Sequence, residues 1–149
     1  MPMEERLKPA QFSIFKGKSA LRLKVLRQTA DFEPGCLFLE LAPFKSKNEN
    51  GNRIYDWENK ISIKLEIVDL AKIGYALERG ISAELFHEYN GNVKTISVSR
   101  VEGQSPYFIT VNQKLSSGEK LSISVPCSAE EVYSLLCLVR FAIPATLGW

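Results

Sequence analysis

A chain of 149 residues with 45% hydrophobic content is long enough for one compact domain with a core of its own. The formal net charge of +2 and pI near 8.4 fall short of the strongly basic balance of a non-specific nucleic-acid binder, so any basic surface must be segregated on one face. Cys36, Cys127 and Cys137 form no Cys-x-x-Cys pair and lie within apolar patterns where free cysteine behaves as a small hydrophobe, which fits a reducing compartment.

Met1 to Ala10 is charged, contains two prolines and has no apolar signal core; nowhere do eighteen uncharged apolar residues run together. Residues 1–10 therefore read as a flexible N-terminus and 11–149 as a single domain, soluble and without an evident targeting segment. Alternation of apolar and polar residues predicts strands over Gln11 to Phe15, Lys18 to Leu26, Cys36 to Phe44 and Lys60 to Ile67. The stretch from Lys16 to Val25 is sorted by parity: Lys16, Lys18, Arg22 and Lys24 are even, whereas Leu21, Leu23 and Val25 are odd. Read as a strand, it carries one cationic and one oily face. Lys45 to Asn52, with its Asn50-Gly51-Asn52, reads as a mobile loop closed by Tyr55-Asp56-Trp57. Leu70, Ile73 and Leu77 at helical spacing, followed by Arg79-Gly80, predict a helix from Asp69 to Arg79.

The second half repeats the plan. Ser82 to Tyr89, Lys94 to Val101, Tyr107 to Leu115 and Lys120 to Val125 read as strands, separated by Asn90-Gly91-Asn92, Gly103-Gln104-Ser105-Pro106 and Ser116-Ser117-Gly118. Ser128 and Glu131 form the two ends of a capping box that opens a final helix. Val132, Leu135, Leu136, Val139 and Ile143 make one stripe of that helix, and Tyr133, Cys137, Leu138 and Phe141 leave little of its circumference polar. Burial on two sides in so small a domain implies a subunit interface. Lys60-Ile61-Ser62-Ile63-Lys64-Leu65 and Lys120-Leu121-Ser122-Ile123-Ser124-Val125 lie sixty positions apart, each just ahead of a helix, so a strand-strand-strand-strand-helix unit is used twice. The expected class is α+β: two packed four-stranded antiparallel sheets, each followed by a helix.

A sheet covered by a helix on one face leaves the other face free, and there Lys60 and Lys64 join the ladder of Arg22 and Lys24. Such a ladder matches the spacing of a polyanionic backbone, although it also serves simply to keep a sheet face soluble. Single strands are held by base stacking as well as by phosphate contacts. Tyr55, Trp57, Tyr89 and Tyr107 flank polar loops or strand ends where a ring projects, whereas Phe38, Phe108 and Phe141 look like core; half-buried packing is the plainer role for any one of these rings. Catalysis has little support. The sole histidine, His87, has no cysteine or second histidine at metal-ligand spacing, no nucleophile elbow or phosphate loop occurs, and no two carboxylates are shown to converge. No catalytic, cofactor-binding or metal-binding residue is expected.

Several motifs, taken in order, resemble the Whirly single-stranded DNA-binding proteins of plants. Lys16-Gly17-Lys18-Ser19-Ala20-Leu21 is similar to the family's KGKAAL with Ser for the first Ala, Tyr55-Asp56-Trp57 to its YDW, and Leu85-Phe86-His87-Glu88 to its FFHD. Asn112-Gln113-Lys114-Leu115 resembles QNKL with the amides exchanged, and Ile143-Pro144 with Leu147-Gly148-Trp149 resembles the terminal LPYLIGW. The resemblance spans Phe12 to Trp149. It implies two sheets laid against each other like blades, four subunits joined through their helices, and single-stranded DNA lying along the sheets with little sequence readout. KGKAAL is implied in contacts and in higher assembly of tetramers. Carried onto this chain, it makes Lys16, Lys18, Tyr55, Trp57 and Lys114 the first candidates for the DNA face, beside Arg22, Lys24, Lys60, Lys64 and Tyr89 from the residue pattern.

The amide exchange turns a side chain of the QNKL-like motif to the opposite strand face. Plant members carry organelle transit peptides, absent here, so the chain reads either as a mature plastid or mitochondrial form or as a cytoplasmic or nucleoid-associated bacterial or phage relative. The expected role is protection or organisation of single strands in replication, recombination, repair or transcription. Two alternatives stand beside it: an RNA-binding or annealing protein, and a transcription coactivator that acts mainly through protein contacts.

Overall fold

The computed structural model describes residues 10–26, 35–100 and 107–149. The expected flexible N-terminus lies almost wholly outside the described residues, as does the turn expected at Gly103 to Pro106. Among the described residues, nine strands and two long helices follow one another: β1 (Ala10–Phe15), β2 (Ser19–Leu26), β3 (Cys36–Lys47), β4 (Arg53–Tyr55), β5 (Ile61–Leu65), α1 (Ile67–Arg79), β6 (Ala83–Tyr89), β7 (Asn92–Arg100), β8 (Tyr107–Lys114), β9 (Lys120–Cys127) and α2 (Ala129–Thr146). A 3-10 turn over Trp57–Asn59 precedes β5. The first sheet runs β1-β2-β3-β5 and the second β6-β7-β8-β9, with antiparallel pairing throughout. The four-strands-then-helix unit is thus used twice, as its sixty-residue echo indicates.

The extra strand is β4, which pairs only with the far end of β3 across an irregularity between Phe44 and Ser46. This corrects the expected mobile loop at Lys45 to Asn52. The polar run contains the end of one strand and a tight turn whose Asn48 Oδ1 accepts the backbone N–H groups of Asn50 and Asn52, each at 2.9 Å. Both strand ends there are exposed, so no apolar alternation marks them. The β6–β7 hairpin is closed by Asn90 (φ 51°) and Gly91 (φ 79°), the pair of left-handed residues that matches strand twist in a two-residue loop.

Both helices have defined starts. Asp69 accepts the Glu66 N–H at 3.0 Å, which lets α1 begin at Ile67, two residues before the start read from its apolar spacing. At α2, Ser128 Oγ accepts from Glu131 N at 3.2 Å and Glu131 accepts from Ser128 N at 2.9 Å, the capping box expected there. Gly80, at φ 65°, ends α1 and its N–H reaches the Ala76 carbonyl.

One core joins all layers. Leu21, Leu39 and Leu65 from the first sheet and Ile96, Val98 and Ile109 from the second meet Ile73 and Leu77 of α1 and Leu135 and Val139 of α2. Each such side chain contributes about 1.5–3 kcal/mol by leaving water. A Ser19 Oγ–H···O=C Ser124 bond of 2.6 Å ties the sheets at one corner. The helices cross closely at Gly74, where an added Cβ would stand 3.3 Å from Val139 Cγ1. Gly74→Val is therefore expected to push the helices apart and lower stability by about 1–3 kcal/mol, read as a reduced denaturant midpoint with an unchanged slope.

Candidate nucleic-acid interface

The strand registers decide which side chains share the outer face of the first sheet. Residues directly opposite one another in antiparallel strands point the same way. One row across the sheet is Ser13, Arg22, Glu40, Ser62; the next is Gln11, Lys24, Phe38, Lys64. The parity of Arg22, Lys24 and Lys64 thus becomes a single cationic face. Lys60, just ahead of β5, reaches the same patch by pairing with Glu40.

Glu40 is the organising residue. It is 3% exposed and accepts from Arg22 Nε at 2.9 Å, from Lys24 Nζ at 3.3 Å and from Lys60 Nζ. Burial alone would raise its pKa, yet the hydrogen bonds from Lys60, Arg22 and Lys24 outweigh it and hold the carboxyl below its ordinary value of 4.5. Arg22 also lies over the Trp57 ring, 4.0 Å from its centroid. The 3-10 turn therefore sets an indole, only partly buried, against the cation cluster. Lys64 is exposed.

The Lys16-Gly17-Lys18 turn between β1 and β2 is fastened from several sides. Tyr55 donates its hydroxyl to the Lys16 carbonyl, and Arg53 Nη1 donates to the Gly17 carbonyl at 2.8 Å. The Tyr55 ring packs against Phe15 and Phe44, at centroid separations of 5.5 and 6.3 Å. Lys16 Nζ bonds Glu131 at 2.6 Å, the same carboxylate that caps α2. Burial would raise the Glu131 pKa; Lys16 and Ser128 hold it lowered. Lys18 is exposed and makes no ion pair among the described residues. An open groove of about 740 Å³ lies beside the turn, lined by Phe15, Lys16, Gly17, Asn52, Arg53 and Tyr55.

A second cleft, of about 560 Å³, connects the two sheets between the 3-10 turn and the β8–β9 hairpin. Glu58, Asn59, Lys60, Gln113, Glu119 and Lys120 line it with Leu115 and Leu121, so its two lysines share it with two carboxylates. Lys114 is exposed and opposite Lys120. Asn112 stands opposite Thr95 and Ser122, whereas Gln113 stands opposite Lys94 and Leu121 and reaches the cleft. Tyr89 is 77% exposed at the tip of the β6–β7 hairpin, away from the first-sheet cluster.

Several expectations about rings and cysteines are corrected. Tyr55 and Tyr107 do not project: both are buried, because each spends its hydroxyl on a backbone carbonyl, Tyr107 on that of Ile81. Phe141 is 48% exposed rather than core, since α2 turns Leu135, Val139 and Ala142 inward. Cys137 is likewise exposed, whereas Cys36 and Cys127 are buried. Burial, then Glu131, push the Cys127 thiol up to about 12 against the pull of Lys16, which leaves it chemically inert. His87 pairs with Asp69 at 3.1 Å and so joins the second sheet to the start of α1. Glu40, Arg53, Gln113 and Lys120 were not candidates from sequence. Glu40 had one signal: it is a lone acid within the apolar run from Cys36 to Ala42.

Two outcomes follow. Tyr55→Phe is expected to cost about 1 kcal/mol, seen in the denaturation midpoint, because the Lys16 carbonyl loses its donor. Because the folded-state pKa of Glu40 is depressed, its stabilisation is present above the unfolded value and is lost as pH falls below about 4.5. Wild-type protein should therefore lose more stability than Glu40→Gln between pH 5 and about pH 3 in thermal melts.

The family model described as Whirly transcription factor matches residues 14–137. No curated protein sequence matches the chain. Among solved structures it is similar to WHY1 from Arabidopsis thaliana, with 23% identity and a TM-score of 0.79, covering 96% of this chain and 88% of that one. It is also similar to WHY3 from the same plant, with 20% identity, a TM-score of 0.75 and coverage of 94% and 89%. The plant transcriptional regulator PBF-2 gives 23% identity, a TM-score of 0.79 and coverage of 96% and 85%. These likenesses bear on the fold. With the family match extending over most of its length, the chain belongs to the Whirly family of DNA-binding transcription regulators.

Proposed function

We propose that this protein binds single-stranded DNA with little sequence preference and protects or organises it during replication, recombination, repair or transcription. The observation that carries this reading is the outer face of the first sheet, where Arg22, Lys24, Lys60 and Lys64 gather beside Trp57. Cations so spaced take successive phosphates, and the indole offers a surface on which an unpaired base stacks, worth about 1–3 kcal/mol per base. The cleft containing Gln113 and Lys120 continues the path toward Lys114 on the second sheet. Because neither phosphates nor ring faces differ much between nucleotides, such binding carries little base identity.

The subunits associate as a tetramer through the helices. Supporting this, Val68, Tyr75, Tyr133 and Phe141 leave apolar surface exposed on the helices of a single chain, and Trp149 is 93% exposed beyond α2. Lys18 and its neighbours in the turn act in strand contact and in association of tetramers on long strands.

Anisotropy titrations test the reading. Oligo-dT is expected to bind much more tightly than duplex of equal length, because pairing hides the base faces, and the affinity should fall as salt rises. Lys18→Ala should flatten the salt dependence by about 0.7 in slope or abolish assembly on long strands, whereas Trp57→Ala should weaken binding with little change in slope. Equal affinity for duplex and single strand would overturn the reading, and preference for RNA of matched sequence would redirect it to the annealing class.

A further inference from the structure

The cations of the first sheet do not stand over a neutral floor. Glu40 is 3% exposed, whereas Arg22, Lys24 and Lys60 keep 18%, 28% and 31% of their side-chain surface. The acid is buried beneath and the three cations lie over it. A carboxylate presents such donors with the same kind of partner as a phosphate ester, anionic oxygens that accept charge-assisted hydrogen bonds. Arg22 reaches Glu40 through Nε, so its terminal nitrogens are not spent on that contact.

We infer that Glu40 is an internal competitor for phosphate, occupying Arg22, Lys24 and Lys60 in the free protein and lowering the affinity of this face for polyanions. The inference deepens the single-strand reading and rests on it for the natural ligand. Two physical consequences follow from the position of the charge. A phosphate entering the cluster meets three cations already partly neutralised, so each new contact gains less than it would from a free lysine. The same carboxylate fixes where the cations sit, so they are ordered before the strand arrives. Glu40 thus trades affinity for a prearranged and less adhesive face, which matters for a protein that must release strands as well as hold them. A purely structural ion cluster makes the opposite prediction: its loss would weaken the sheet and leave binding unchanged or poorer.

The test is Glu40→Gln, which keeps size and one acceptor oxygen but removes the charge. Oligo-dT affinity by anisotropy is expected to tighten about three- to tenfold at low salt, with a salt dependence steeper by about 0.7 for each cation released to phosphate. Heparin-column elution should move to higher salt, and the double variant E40Q/K60Q, which restores the wild-type charge, should return toward wild type in both assays. A folded E40Q with wild-type or weaker binding and an unchanged slope overturns the inference and leaves the single-strand reading standing. Conversely, wild-type protein that ignores oligo-dT while E40Q is held longer on heparin overturns that reading and supports the inference for polyanions at large. If E40Q does not fold, the ¹³C carboxyl signal of Glu40 in wild-type protein decides: it should move when oligo-dT binds, and a signal unmoved by bound strand overturns the inference.

Discussion

Arg22, Lys24 and Lys60 can crowd one face of the first sheet because Glu40 lies among them. Adjacent strands stand about 4.8 Å apart, and like charges set directly across that spacing repel. The register that places Arg22 opposite Glu40, with Lys24 one row away and Lys60 arriving from the 3-10 turn, turns this repulsion into a shared attraction. The arrangement differs from a fully buried ion pair. Only the carboxylate is deeply desolvated, while the cations remain partly hydrated, so the cost of removing charge from water is borne mainly by one group with three partners. Trp57 joins the cluster through Arg22, and the position of the indole therefore depends on the same carboxylate at one remove.

The turn at Lys16-Gly17-Lys18 is held by a different logic. Its backbone carbonyls are taken by Tyr55 and Arg53, both from β4, and Lys16 by Glu131 at the start of α2. One strand and one helix thus converge on three residues. A hairpin turn on the rim of a sheet ordinarily frays; this one is pinned, with Lys18 left to solvent. The pinning also connects the rim of the first sheet to the helix layer, since the Glu131 carboxylate serves both the Ser128 amide and the Lys16 ammonium.

Much of this fold was legible in the sequence because its strands alternate cleanly and its helices are well punctuated. The parity of Arg22 and Lys24 against Leu23 and Val25 gave the right face, and Ser128 with Glu131 gave the right helix start. Failures fall where polarity has two uses. Lys45 to Asn52 is polar because both strand ends are exposed, and alternation cannot mark a strand wet on both faces. Tyr55 and Tyr107 flank polar segments yet point inward, since a phenol can lie in the core when its hydroxyl finds a carbonyl, and local sequence does not identify that carbonyl. Glu40 is the deepest case. A lone acid in an apolar run is visible, but its three partners lie up to twenty positions away and meet it only through the register of β2 and β3 and the turn before β5.

The outer faces of the two sheets differ in a way that the sequence echo between halves conceals. Where the first sheet presents Arg22, Lys24 and Lys64, the corresponding rows of the second run Phe86, Thr95, Asn112 and Ser122, and Glu84, Ser97, Thr110 and Ser124, with Thr110 and Ser124 hydroxyls 2.8 Å apart. Lysines return only at its far end, where Lys114 faces Lys120. Repetition of the strand-and-helix plan therefore conserves the apolar inner faces, which must fill one core, and leaves the outer faces free to diverge. The second outer face therefore carries hydroxyls, an amide, the exposed Phe86 ring and the Glu84 carboxylate in place of the cations of the first. Between the sheets stands the cleft lined by Glu58, Lys60, Gln113, Glu119 and Lys120, so Lys60 belongs at once to the Glu40 cluster and to this mixed-charge cleft.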